Sequence, residues 1–387
     1  MSKNIVICCD GTNNEFGREN TSVVRLVQAI DRDAAKQRLY YDGGVGTLPE
    51  PGPWTRTGKW VSKVFGLAFG SGIFWKTENA YEYLMDHWEP GDRVFLFGFS
   101  RGAYTARLLA AVLHQMGLLP AGNKNLIPYV MRLFKALPKN SDQRGGSGMA
   151  DYFKLADEFR STFARQVPED PNERHFSIHF LGLWDTVSSV GWVWDPPSYP
   201  YTTRNPGIHT IRHAVAIDER RWFFLQNLVR RAHARQDISE TWFAGDHSDV
   251  GGGYPENGGG LWRRPFTWML SEAEHAGLLI DTARLKSVLE RSRASSKPHL
   301  DDQHESLTLR WWPAELFPKL QWRSANRRRS LAVGLGRGRR ISAGALIDES
   351  ALNRLRERSD YRPRNMSNAF VEHARALTHV PPSLPYE

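Results

Sequence analysis

The segment Gly98-Phe99-Ser100-Arg101-Gly102 places a hydroxyl between two glycines. A serine is a weak nucleophile until a base takes its proton, and the Gly-x-Ser-x-Gly turn between strand and helix forces that hydroxyl into the open. As bare text the pattern is expected roughly 0.1 times in a chain of this length, taking glycine near 7%. Its context adds weight, because Val94 to Phe97 is an apolar strand-like run and Ala103-Tyr104-Thr105-Ala106-Arg107 opens a helical pattern. An ordinary tight turn between strand and helix is the alternative.

A nucleophilic serine needs a base, and the base needs an acid to orient it. In the fold that uses this elbow the order is Ser, Asp or Glu, His, each just past a later strand. Asp185 follows Phe180-Leu181-Gly182-Leu183-Trp184, and His247 follows Trp242-Phe243-Ala244-Gly245. A helix cap or turn former is the other reading of Asp185, and a structural loop histidine that of His247. With 13 histidines in the chain, position past a strand counts for more than identity.

Asp10-Gly11-Thr12-Asn13-Asn14 ends the first apolar run. Its small residues suit a loop whose amides approach an oxyanion beside the N–H of Arg101. An Asx turn explains them equally. Asp246, Asp249 and Gly251-Gly252-Gly253 surround His247, so Asp249 is a candidate substrate contact. Trp192 and Trp194 follow Asp185 closely and are candidate walls of the same pocket.

These residues need a frame that brings them to one edge. Five short apolar runs end abruptly in small or polar residues: Ile5–Cys9, Leu39–Tyr41, Val94–Phe97, Phe176–Trp184 and Thr241–Ala244. Between them, Thr21–Arg32, Trp75–His87 and Ala103–Met116 carry apolar residues at helical spacing. Alternating strands and helices predict an α/β fold: a mostly parallel sheet with helices on both faces. The chain reads as one domain over residues 1–387. Two insertions, about 51–75 and 119–174, interrupt it, and the loop Lys139–Gly148 within the second is expected to be mobile. A basic tail region from about 300 to 387 is expected to pack on the domain, since Trp311, Trp312 and Phe317 call for burial.

Hydrophobic residues are 41% and charged residues 24% of the chain, which excludes a disordered polymer. Cys8 and Cys9 are the only cysteines, which excludes a disulfide framework and a cysteine zinc site and fits a reducing compartment. The first apolar run is too short for a signal peptide, and no stretch reaches the ~18–20 residues of a membrane span. The expectation is therefore a protein made in the cytoplasm and exported, if at all, without a cleaved signal. Net charge is +9, with seven arginines and no acid between Arg323 and Arg340. Such a stretch attracts anionic surfaces, or is simply a solvated loop. The segment Trp54 to Trp75 mixes Trp54, Trp60, Phe65, Phe69 and Phe74 with Lys59 and Lys63. It reads either as an acyl-chain groove or interfacial flap, or as buried core.

In order along the chain, CCDGTNN, GFSRGAYTAR, LGLWDTVSSVG, HAVAIDERR and FAGDHSDVGGGY resemble the catalytic domain of the type VI secretion phospholipase effectors and their uncharacterised relatives. The later phrases LRWWP, RRISAGALIDES and YRPRN look similar, so the resemblance runs from about Asn4 to Asn365. It implies an α/β-hydrolase core and a triad falling on Ser100, Asp185 and His247. It also implies a glycerophospholipid acyl ester as substrate and an immunity or secretion protein as partner. Many members carry an extra membrane-engaging domain, and none is expected in this sequence. Where the family often has His in an I-H-x-S phrase, this chain has Ile347-Asp348-Glu349-Ser350. No cofactor is implied, and calcium is the one metal left open.

Two other chemistries compete. Asp10, Asp246, His247 and Asp249 are oxygen and nitrogen donors of the kind a metal-dependent phosphoesterase uses, although that reading leaves the elbow unexplained. A non-enzymatic module would bind anionic lipid, or less readily nucleic acid, through the Arg-rich segment.

Overall fold

The computed structural model describes residues 2–11, 17, 19–44, 69–137, 147–167, 175–187, 199–255, 259–291, 295–309, 311–316, 318–323 and 328–386. Thr12, Trp192, Trp194, Phe317 and residues 54–68 of the segment Trp54 to Trp75 lie outside them.

Strands β1 (Asn4–Cys9), β2 (Gln37–Asp42), β3 (Arg93–Phe99), β4 (Ile178–Trp184), β5 (Ile208–Ala216) and β6 (Asp237–Phe243) pair in parallel in the order β2-β1-β3-β4-β5-β6. A hairpin of β7 (Lys319–Arg323) and β8 (Arg328–Ala332) stands apart from this sheet. The tail then adds β9 (Leu346–Asp348) parallel to β6, and β10 (Ser383–Pro385) antiparallel to β9 as the edge. The fold is thus the expected mostly parallel α/β sheet.

Continuous apolar strands arise because both sheet faces are covered. All six residues of β1 are buried. Ile5, Ile7 and Cys9 enter one core, while Val6 and Cys8 enter the other. In β3, Val94 and Leu96 point to the first core and Phe95, Phe97 and Phe99 to the second. This is the two-residue period of a strand buried on both faces.

Helix α1 (Ser22–Ala29) is capped by Thr21, whose hydroxyl accepts the Val24 N–H at 3.2 Å. The first face carries α2 (Phe69–His87), α3 (Arg101–Met116), α4 (Ile127–Lys135) and α5 (Ser147–Phe163). Phe134 of α4 and Phe159 of α5 are buried in its core. The described helices of the expected insertion 119–174 thus cover this face of the sheet. Ser147 and Gly148, expected in a mobile loop, begin α5.

The tail packs as expected, with Trp311 half-buried against Phe224 but its neighbour left out. Trp312 is 40% exposed. A third core joins Trp242 and Ile217 to Ile347, Leu352, Phe370 and Val371. Strand β5 is absent from the sequence reading because His209, Arg212 and His213 break its apolar run. Each of the inner two has a partner: Arg212 reaches Glu272 and Asp237 at 2.5 Å, and His213 reaches Glu240 at 2.8 Å. Among the described residues no helix is long and apolar enough to cross a membrane.

Strand order reverses between the adjacent strands β1 and β3, because the chain leaves β1 for β2 on one side and β3 for β4 on the other. A crevice opens outside the carboxyl ends of the strands at such a point. Ser100 follows β3 there, and Asp185 follows β4 in register with it: Phe99 pairs with Trp184.

Candidate active site

At the elbow, Ser100 has φ 58° and ψ −122°, a left-handed backbone that a non-glycine residue seldom adopts. Its N–H donates to the Trp184 carbonyl at 3.0 Å, tying the turn to β4. The turn closes only because Gly98 and Gly102 lack side chains. A Cβ on Gly98 would lie 2.5 Å from the Gly102 carbonyl oxygen, and one on Gly102 would lie 2.2 Å from that of Cys9.

His247 begins the short helix α6 (His247–Gly251). Asp246 caps it, accepting the N–H groups of Ser248 and Asp249 at 2.9 Å each. Asp249 completes a capping box by accepting the Asp246 N–H at 3.1 Å. Its carboxylate also takes the His304 N–H at 3.1 Å and pairs with His304 Nδ1 at 2.7 Å. Asp249 is 4% exposed, so this expected substrate contact instead holds the turn that carries His247. The His247 N–H faces Glu219 Oε2 at 3.4 Å, and Glu219 is paired with Arg221 at 2.8 Å. Asp218, one residue earlier, accepts the Gly245 N–H and the Tyr361 hydroxyl at 2.8 Å each. Phe99 and Phe224 flank the imidazole, with ring centroids 4.7 and 5.0 Å away.

The three side chains meet. Ser100 Oγ lies 2.8 Å from His247 Nε2, and His247 Nδ1 lies 2.5 Å from Asp185 Oδ2. A carboxylate only accepts, so Nδ1 carries the proton and Nε2 is left to accept from the serine. Burial pulls the His247 pKa below its ordinary value, against the opposing pull of Asp185. The imidazole is therefore neutral at neutral pH and able to take a proton.

Asp185 also has a left-handed backbone, φ 41°. Oδ1 accepts the Ala216 N–H at 2.9 Å. Arg339 then grips both carboxylate oxygens, through Nη1 on Oδ1 and through Nη2 on Oδ2 at 2.8 Å. Burial pushes the carboxyl pKa up, but the Arg339 charge and the His247 bond override it and hold the group well below the usual range. Arg339 belongs to the Arg-rich run expected to face an anionic surface, yet it is 2% exposed. Arg337 and Arg340 are exposed. The side chains of Arg323, Arg328 and Arg329, and all of Arg327, lie outside the described residues.

Asp10 Oδ1 accepts the Gly11 N–H at 2.6 Å, while Oδ2 accepts Thr21 Oγ1 at 2.8 Å and the Tyr41 hydroxyl at 3.0 Å. The Gly11 amide is thus engaged by its neighbour's side chain. Arg101 is the first residue of α3, where helix amides point outward beyond the ladder. Among the described residues no group of three or more His, Cys, Asp or Glu side chains converges as a metal shell does. The donors Asp10, Asp246 and Asp249 are committed to the contacts above.

A hydroxyl, a neutral imidazole and a buried carboxylate in series can move a proton off the hydroxyl as it attacks a carbonyl. Sequence reasoning misses Glu219, Arg221 and Arg339 as individual residues. The phrase HAVAIDERR marked the first two, but nothing distinguished Arg339 from its arginine neighbours.

A family model described as the catalytic domain of Tle1-like type VI secretion phospholipase effectors matches residues 3–272. The uncharacterized protein YEL023C of Saccharomyces cerevisiae is 33% identical over 231 residues, 58% of this chain and 32% of that protein. An uncharacterized protein from Pseudomonas aeruginosa has a solved structure with 18% identity and a TM-score of 0.47, covering 76% of this chain and 49% of that one. The Tle1 effector bound to the VgrG spike of the type 6 secretion system gives 20% identity and a TM-score of 0.38, with 66% and 51% covered. The chain thus spans about a third of the yeast relative and about half of each solved chain. On the match over residues 3–272, the chain belongs to the Tle1-like phospholipase effector catalytic domain family.

Proposed function

We propose that the chain is a serine ester hydrolase that releases fatty acid from glycerophospholipids. The observation that carries this reading is the hydrogen-bonded series Ser100–His247–Asp185 at the carboxyl edge of the sheet. Ser100 Oγ attacks the acyl carbonyl as its proton passes to His247 Nε2. Asp185 holds the resulting imidazolium, and the proton then goes to the leaving alcohol. Water repeats the sequence on the acyl-enzyme. Arg101, at the start of α3, offers its amide to the developing oxyanion, aided by the positive end of the helix.

A lipid substrate is supported by the family and by the exposed side chains of the tail. Trp311 packs on Phe224 at 5.7 Å, and Phe224 packs on His247. The same tail exposes Leu309, Trp312, Leu316, Leu331 and Leu335, and Arg337 and Arg340 are exposed as well. Apolar side chains flanked by cations suit the surface of an anionic bilayer. Family membership supports a role as an exported effector, with a secretion or immunity protein as partner.

The test is mass spectrometry of lipids from anionic vesicles incubated with wild type and with Ser100→Ala, alongside labelling by a fluorophosphonate. The expected result is fatty acid release by wild type alone, weakened by salt, and labelling that disappears with Ser100. Labelling without release from any vesicle would leave a soluble-ester hydrolase. Near-wild-type release by Ser100→Ala would remove the serine mechanism altogether.

A further inference from the structure

Arg339 lies in the tail, past the family match that ends at residue 272, yet its guanidinium is buried against Asp185. We propose that Arg339 is a positioning residue of the active site, by which the C-terminal tail fixes the acid of the triad and the aromatic roof over its base.

A guanidinium carries five N–H donors in a rigid fork. Here five hydrogen bonds leave it. Two go to the oxygens of Asp185, Nε and Nη2 reach the Phe224 carbonyl at 3.0 and 2.5 Å, and Nη1 reaches the Ala216 carbonyl at 3.3 Å. Asp185 is saturated in return, because Ala216 N–H and His247 Nδ1 take its remaining acceptor sites. A side-on pair of this kind dictates the plane of the carboxylate, hence where Oδ2 stands relative to the imidazole. The same fork holds the backbone of Phe224, whose ring lies against His247.

The tail is anchored so that it can deliver this group. Glu315, fully buried, accepts the Trp222 N–H at 2.6 Å and the Gly336 N–H at 3.0 Å. That carboxylate staples the strand of tail leading to Arg339 onto the turn leading to Phe224. A buried ion pair adds little net stability over an apolar pair of the same shape, because both ions lose their water. What it supplies is a single geometry.

The pair also alters the electrostatics of the base. Around the imidazole stand Asp185, Glu219 with Arg221, and Asp246 and Asp249 of its own turn. Only Asp185 is paired with Arg339. A cation there offsets part of the carboxylate charge that would otherwise favour the imidazolium, so its loss makes His247 easier to protonate.

The experiment compares wild type with Arg339→Met, Arg339→Ala and Arg339→Lys in the full chain, by kcat, KM and pH profile on an activated ester. Arg339→Met is expected to lose about 10²-fold in kcat, as a small misplacement of a reacting group does. Its KM should hardly change. Its acid limb should move to higher pH by about one unit. Arg339→Ala should regain activity with guanidinium well below denaturing concentrations, and not with urea. A folded Arg339→Met with wild-type kcat, or one whose kcat falls with the acid limb unmoved and no guanidinium rescue, overturns the proposal. If Arg339→Met does not fold, Arg339→Lys decides. Lysine keeps the charge but loses the fork, so the limb should stay while kcat falls, and a wild-type kcat overturns the proposal. The inference rests on the Ser100 reading. Fluorophosphonate labelling of wild type tests that reading separately, and it can succeed while the Arg339 variants behave as wild type.

Discussion

Replacing Gly102 with alanine puts a methyl carbon 2.2 Å from the Cys9 carbonyl oxygen and 2.5 Å from that of Asp10. Both atoms are backbone at the end of β1, which is held between β2 and β3. Nothing there rotates away. Reaching an ordinary contact of at least 3.4 Å from 2.2 Å requires a shift of about 1 Å, and the start of α3 is the freer partner. That shift carries Ser100 with it, and its 2.8 Å bond to His247 stretches out of range. A displacement of ~1 Å at reacting groups costs on the order of 10²-fold in rate. Overpacking of this kind also destabilises a fold by about 1–3 kcal/mol. Gly122→Ala separates the two effects. Gly122 has φ +82° and nothing within 4 Å of its added carbon, so alanine there costs roughly 1–2 kcal/mol of backbone strain without touching the site. The assay is the rate of fluorophosphonate labelling at Ser100, measured beside thermal unfolding. Gly102→Ala should label about 10²-fold more slowly, whereas Gly122→Ala should label normally at similar stability. A folded Gly102→Ala that labels within a few-fold of wild type would refute the idea that contact with β1 sets the serine.

The buried, neutral His247 predicts an acid limb of kcat/KM below the ordinary histidine value of 6.5. Activity should rise with pH through that limb, because protonated imidazole cannot accept the serine proton. The sign for stability follows from the same shift. The unfolded chain takes up this proton first as pH falls below 6.5, so stability present above that value is lost as pH drops toward the lower folded pKa. Denaturant titrations should show a loss over this window that His247→Gln lacks. Asp249→Ala removes the acceptor for Asp246 N–H and His304 N–H and should cost about 1–3 kcal/mol. Slower labelling of Ser100 should accompany it as α6 loosens, and unchanged labelling would make the capping box irrelevant to the base.

Local chemistry determines much of this protein without any knowledge of the fold. The elbow is legible because strand, turn and helix are contiguous in the chain, and its glycines are demanded by contacts within a few residues and with one neighbouring strand. Asp185 and His247 are legible by position, since residues at the carboxyl ends of parallel strands share one edge. The alternation of Ile5, Ile7 and Cys9 with Val6 and Cys8 between two cores needs only the period of a strand. Tertiary structure alone decides which of several like residues acts. Arg339 and Asp185 are 154 residues apart, and nothing local separates Arg339 from the exposed Arg337 and Arg340. The difference arises where the tail crosses the sheet edge and one guanidinium loses its water. Asp249 and Asp10 look like site carboxylates by composition, yet the fold commits the first to a capping box and the second to the Gly11 N–H and the Thr21 and Tyr41 hydroxyls. A carboxylate's role is set by the donors around it, and those donors come from segments far away in sequence: His304 for Asp249, Tyr41 for Asp10, and Arg339 for Asp185.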